Sequence, residues 1–272
     1  MLKGVQLRDY QEQILKELGS VPSIGLFMKT GSGKTLTSLE RFTRNPTSNL
    51  LVICPQKIVT QWFDEVEKHT DLQVCKYNMS WSSTKKDKMV KDFLLYDLEN
   101  NDLRSNCIVV NFDIITKMTW LDLIDENWTI IVDESHKIKN MGTSRSPVKV
   151  TQKILELGEQ TPYKIILTAT PTEKEYGGYI DLYSQLTFLG YLDISYTLFQ
   201  NRYCRIEKLQ VPGMPFPIKK IIGYRMNLID EEIKPLIKLC CRYYAPKYGD
   251  YDPQLLKITI PKAKNYAKML ED

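Results

Sequence analysis

Met28-Lys29-Thr30-Gly31-Ser32-Gly33-Lys34-Thr35 carries the residue types that hold a phosphate. Gly31 and Gly33 let the backbone curl, so that successive N–H groups around Lys29, Thr30 and Ser32 point inward at phosphate oxygens. Lys34 supplies a cation for the β- and γ-phosphates, and the Thr35 hydroxyl supplies an oxygen for Mg²⁺. The general pattern is G-x-x-x-x-G-K-[ST], and Met28 stands where its first glycine would be. A glycine turn that only caps a helix, with Lys34 solvated, is the plain alternative. The flanks argue for the phosphate loop. Ile24 to Met28 has the length and character of a buried strand, and Leu36, Leu39 and Phe42 follow at helical spacing.

A second chemical stretch is Ile130-Ile131-Val132-Asp133-Glu134-Ser135-His136. An apolar run delivers two adjacent carboxylates to a strand end. Asp133 suits Mg²⁺, held through water opposite Thr35, and Glu134 suits the polarisation of an attacking water. Phosphoryl transfer needs positioning and charge neutralisation more than covalent chemistry, so a lysine, a metal and one base suffice. Acids at a solvated helix start are the alternative. Leu167-Thr168-Ala169-Thr170-Pro171 is a third strand end, whose hydroxyls can sense the carboxylate pair. Thr168 and Thr170 are therefore expected coupling residues, and His136 is expected to couple with them; ordinary capping by Thr170 before Pro171 is the alternative.

These stretches need elements to hold them. Helical periodicity predicts helices from Leu7 to Leu18, Ile58 to His69 and Thr84 to Glu99, the last with Met89, Phe93 and Leu94 inward and Lys85, Lys86, Lys88 and Lys91 solvated. A further helix is expected over roughly Ser146 to Leu157. Continuous apolar runs at Leu50–Cys54, Cys107–Asn111, Thr129–Val132 and Lys164–Leu167 read as strands buried on both faces, and Gln73–Tyr77 is a further candidate. Strands alternating with helices predict an α/β fold with a doubly wound, mainly parallel sheet and the site at the strands' carboxyl ends.

The chain's 272 residues suit one large domain with an appendage, and 43% hydrophobic residues allow a sizeable core. A net charge of +4 permits a nucleic-acid partner without requiring one. The six cysteines form no C-x-x-C and only two histidines occur, which argues against zinc and for reduced thiols inside a cell. No leader-like apolar start and no run of about 18 apolar residues is found, so no membrane partner is expected.

In order along the chain, the motifs resemble the first lobe of superfamily-two helicases, and most closely the Swi/Snf-type translocases of double-stranded DNA. Leu7-Arg8-Asp9-Tyr10-Gln11 is similar to the family's adenine-reading motif, with Gln11 as the adenine contact. Gly31 to Thr35 matches motif I. Val52 to Pro55 with Val59-Thr60-Gln61-Trp62 and Glu65 matches motif Ia, including the tryptophan of the Swi/Snf branch. Val132 to Asn140 matches motif II, and Leu167 to Pro171 with Asp181 to Leu189 resembles motif III and its following helix. The resemblance implies a RecA-like lobe over residues 1–192 that uses ATP and Mg²⁺. It also implies contacts to the backbone of double-stranded DNA from Pro55, Gln56, Lys57 and Asn111. The expected place is the cytoplasm, nucleoid or nucleus, for a cellular or a viral gene alike.

A complete motor of this family has a second RecA-like lobe with an arginine finger. No stretch here matches it, although Ile258–Lys262 and Tyr266–Leu270 resemble the approach to that lobe. Arg242-Tyr243-Tyr244 matches poorly the arginine pair that precedes the approach. Residues 193–272 then form a mixed helical and irregular extension leading toward a partner lobe supplied in cis or in trans, and ATP hydrolysis is expected to be weak without it. Its stretch from Phe199 to Arg225 mixes cations with rings, and reads either as a DNA-binding insertion or as an arm whose rings pack on the lobe. A nucleotide-gated DNA-binding module with little turnover is the alternative function. A small-molecule kinase would share the loop but would leave Asp133–His136 and Thr168–Pro171 without a part.

Overall fold

Apolar runs between turn residues become the strands of one sheet. The computed structural model describes residues 2–45, 47–99, 105–142, 146–172, 178–210 and 217–245. In chain order the elements begin with α1 (Asp9–Glu17), β1 (Ile24–Met28), α2 (Lys34–Arg44), β2 (Asn49–Cys54), α3 (Val59–His69) and β3 (Gln73–Val74). There follow α4 (Ser83–Glu99), β4 (Asn106–Asn111), β5 (Trp128–Asp133), α5 (Lys149–Gln160), β6 (Tyr163–Thr168), α6 (Tyr183–Leu189) and α7 (Tyr196–Tyr203). Last come β7 (Cys204–Leu209), β8 (Ile218–Tyr224), a helical run made of α8 (Met226–Leu228), a π-turn (Ile229–Ile233) and α9 (Lys234–Cys240), and β9 (Cys241–Tyr244).

Seven strands lie in the order β3-β4-β2-β5-β6-β1-β9, and every ladder between them is parallel. Strands β1, β4 and β5 are buried along their whole length, as a sheet covered on both faces requires. The sheet is therefore the α/β, RecA-like arrangement that the motifs imply. Among the described residues no helix is long and apolar enough to cross a membrane.

Strand β9 had no counterpart in the sequence reading. It pairs with β1 from Gly25↔Cys241 to Met28↔Tyr244, so the chain beyond residue 192 returns to the sheet. Gly25 permits this contact, because a Cβ there would stand 2.6 Å from Cys241 Sγ. Four residues without apolar alternation carry no strand signal of their own; the pairing comes from the exposed edge of β1.

Helix α4 corrects two expectations. Met89 is exposed, and the inward stripe is Lys86, Val90 and Leu94, at i, i+4 and i+8. Lys86 is buried rather than solvated: its stem packs while Nζ donates to the Met79 carbonyl at 2.9 Å, 5.3 Å from the Tyr77 ring centre. The arm at 199–225 contains an antiparallel ribbon, β7–β8, separate from the main sheet. Its described rings are used in packing: Phe199 lies 5.3 Å from Tyr183 and 4.8 Å from Tyr203, and Tyr224 lies 5.4 Å from Tyr179. Arg205, Lys208, Lys219 and Lys220 are exposed on the ribbon. Residues 211–216 of this arm, and the stretches 258–262 and 266–270 named above, lie outside the described residues.

Candidate nucleotide site at the carboxyl edge of the sheet

Strands β1, β6 and β5 are adjacent and in register, with Phe27 beside Thr168 and Leu167 beside Asp133. The glycine loop, the Thr168 hydroxyl and the acid pair thus leave the same edge of the sheet. One strand separates loop from acids, which is a span of about 10 Å at ordinary strand spacing.

The loop is built for backbone contact. Gly31 and Gly33 have φ of 80° and 72°, a region that side chains disfavour. A Cβ on Gly33 would meet Gln11 Nε2 at 2.5 Å. Ser32 N bonds back to the Lys29 carbonyl at 3.1 Å, which closes the turn. Helix α2 follows with no acid in its first turn, and its opening amides have no intrahelical carbonyl to bond. Lys34 Nζ donates to the Met28 carbonyl at 2.9 Å, across the loop it springs from. Ser32 Oγ is buried with no hydrogen-bond partner. Lys29, Thr30 and Gly31 are exposed, and Thr35 is half-buried at the helix start. Amides, an ammonium and a hydroxyl around a tight cradle are a donor set for phosphate, and the Thr35 hydroxyl with the Asp133 carboxylate are hard oxygens of the kind Mg²⁺ takes. The residues present therefore fit a magnesium nucleotide.

Asp133 closes β5 and is only 6% exposed. Burial pushes its pKa up, and the neighbouring Glu134 charge adds to this; the Trp62 hydrogen bond, the Glu134 amide and Lys34 oppose it. Trp62 Nε1 donates to Oδ2 at 2.9 Å and Glu134 N donates to Oδ1 at 2.8 Å. Glu134 has φ 53° and ψ 51°, alone among the described non-glycine residues in having positive φ. Such a conformation costs on the order of 1–3 kcal/mol and recurs at functional sites. It ends the strand and leaves the Glu134 carboxylate part-exposed, 3.2 Å from His136 Nδ1. The same Nδ1 lies 3.1 Å from Thr168 Oγ1, which accepts from Thr170 N at 3.1 Å. The residues expected to couple thus form one chain of contacts from the acid pair to the end of β6, with Thr170 taking part through its backbone.

Gln11 is buried against the loop. Its Nε2 donates to Thr37 Oγ1 at 2.9 Å and lies 3.2 Å from the Gly33 carbonyl, while its Oε1 accepts from Arg8 N at 2.9 Å. It braces the phosphate loop here. Tyr10 adds to the brace: its OH donates to the Ser32 carbonyl at 2.9 Å, and its ring stacks on Tyr244 at 3.9 Å. Strand β9 also meets the loop directly, since Lys29 N donates to the Tyr244 carbonyl at 3.0 Å.

Gln185 is a residue that sequence reasoning left without a role. It is fully buried; its Oε1 accepts from Ser135 Oγ at 2.8 Å, and its Nε2 donates to the carbonyls of Pro171 and Asp181, each at 2.9 Å. It joins the acid-pair turn to the turn after β6. A lone amide amid the apolar spacing of Leu182, Leu186 and Leu189 was the available signal. Gln185→Ala leaves a buried hydroxyl and a carbonyl unpaired, a cost of about 2–3 kcal/mol that should lower the melting temperature by about 5–10 °C. A thermal melt that moves by less than about 1 °C would show that the bridge contributes nothing.

The expected nucleic-acid residues divide. Pro55 ends β2, and Gln56 and Lys57 are exposed on the short turn Gln56–Ile58 that precedes α3. Asn111 is corrected: it is buried, and its Oδ1 accepts from Ile114 N at 3.1 Å, so its side chain closes a turn instead of facing outward.

Comparison with known proteins agrees with this geometry. Two curated relatives are the RNA polymerase-associated protein RapA of Actinobacillus pleuropneumoniae, 25% identical over 63% of this chain, and the TATA-binding protein-associated factor BTAF1 of Arabidopsis thaliana, 28% identical over 93% of it. The chain spans only 18% and 13% of their lengths. The SWI2/SNF2 ATPase core of Sulfolobus solfataricus shares the fold, both in complex with double-stranded DNA (TM-score 0.60) and alone (0.57). Each of those matches is 23% identical; they cover 88% and 90% of this chain, and 44% of the core. Residues 15–243 match the SNF2-related domain, and the chain belongs to that family.

Proposed function

We propose that the chain is an ATP-hydrolysing motor lobe that moves along or remodels double-stranded DNA. The observation that carries this is the single sheet edge shared by the glycine loop after β1 and the acid pair after β5. In this reading the amides of residues 31–35 and Lys34 hold the β- and γ-phosphates. Thr35 and Asp133 hold Mg²⁺, which neutralises charge on the phosphates when bound. Glu134 takes the proton of the attacking water. His136 and Thr168 report the state of Glu134 to the end of β6, and Gln11 adds adenine reading to its brace of the loop. A second RecA-like lobe, in cis or in trans, supplies the arginine that speeds hydrolysis, so these residues alone hydrolyse ATP slowly.

Calorimetric titration with magnesium ATP, and ATPase rates with and without duplex DNA, test the reading. No heat with magnesium nucleotide would end it. The DNA track runs over the exposed turn at Gln56 and Lys57, through phosphate contacts that fix position and not sequence. Lys57→Glu should weaken binding alike for all duplex sequences and lower the slope of log K against log salt by about 1. An unchanged slope would take Lys57 off the track.

A further inference from the structure

Trp62 joins the exposed turn at Gln56–Ile58 to the acid at the end of β5. Helix α3 starts directly after that turn, and Trp62 lies on its first turn, 2% exposed. An indole N–H donates and never accepts, and a buried one usually finds a partner. Here the partner is Asp133 Oδ2, at 2.9 Å, across 71 residues of chain. The other oxygen takes the Glu134 amide at 2.8 Å, so two donors of different elements fix the carboxylate plane. Each oxygen keeps lone pairs for a further ligand.

We infer that Trp62 is a positioning residue: it sets Asp133 for the metal and ties that carboxylate to the DNA-facing turn of its own helix. The inference rests on the motor reading above. A helix moves as a rigid element, so a phosphate backbone pressing on residues 56–58 displaces the indole, and the indole displaces the carboxylate. The coupling is reciprocal, so magnesium nucleotide must alter DNA affinity through the same contact.

Trp62→Phe keeps a ring in place and removes the N–H. A fluorescent ATP analogue is titrated into the full chain with Mg²⁺ and with EDTA. The affinity in EDTA should stay within about twofold of wild type, while the gain on adding Mg²⁺ should fall by about tenfold or more, the usual effect of losing a partner of a metal ligand. The ratio of duplex affinities with and without a non-hydrolysable magnesium nucleotide should move toward one. Equal losses in Mg²⁺ and EDTA would mark a packing role and overturn the inference, as would a wild-type gain with a wild-type ratio. Wild-type protein that binds no nucleotide would remove the motor reading as well; wild-type binding with an unaltered variant removes the inference alone. Should the variant not fold, the indole ¹⁵N–¹H signal of Trp62 in the wild-type protein decides. It must shift when Mg²⁺ is added to the nucleotide complex, and a fixed signal overturns the inference.

Discussion

Glu134→Gln should lower the rate of ATP hydrolysis by about 10³-fold and leave ATP binding close to wild type. A positioned general base contributes about 10²–10⁴-fold, and an amide of the same shape cannot take a proton from water. The substitution spares the geometry around it. Asp133 Oδ1 accepts from the backbone amide of residue 134, which every side chain supplies. The left-handed backbone at φ 53° strains Gln no more than Glu. Removing the Glu134 charge also relieves its repulsion on Asp133, so metal holding does not suffer. Single-turnover hydrolysis beside calorimetric binding measures both halves of the expectation. Loss of binding along with turnover would make Glu134 a structural residue. A variant that has lost turnover but keeps its biological effect would favour the nucleotide-gated module over the motor.

Local chemistry was legible in the sequence wherever one stretch of chain does the whole job. The loop from Lys29 to Thr35 needs glycines, a lysine and a hydroxyl in one order, and the structure gives both glycines positive φ. The strands of the sheet centre were legible because burial on both faces leaves an uninterrupted apolar run. Contacts between distant stretches were not. Gln185 meets Ser135 across 50 residues, and Trp62 meets Asp133 across 71. Strand β9 exists because β1 has a free edge, a property of the sheet and not of Cys241–Tyr244. Asn111 misled for a related reason. The resemblance implied a DNA contact there, whereas an Asn side chain is as able to close a turn as to face a ligand. Lys86 shows the same limit for charge: a long stem can be buried while its head finds a carbonyl.

Lys34→Ala should lower ATP affinity by about 10- to 100-fold, since a hydrogen bond to a charged group is worth about 1.5–3 kcal/mol. Hydrolysis should fall further, by about 10²–10³-fold, because a cation aimed at developing charge counts more in the transition state than in the ground state. Stability should hardly change. Lys34 is half-buried, and the contacts it gives up, to the Met28 carbonyl at 2.9 Å and the Lys29 carbonyl at 3.5 Å, lie within six residues of it in the chain. The melting temperature should therefore stay within about 2 °C of wild type, which separates lost binding from lost fold. Lys34→Arg is expected to rescue little. Its planar fork is larger than an ammonium, and Gln11 and Tyr10 brace the loop too tightly for it to widen. A Lys34→Ala variant that binds magnesium ATP as wild type does would remove the cation from the phosphates. The amides at 31–35 would then have to hold them alone, and the roles of Thr35 and Asp133 in placing the metal would lose their reference point.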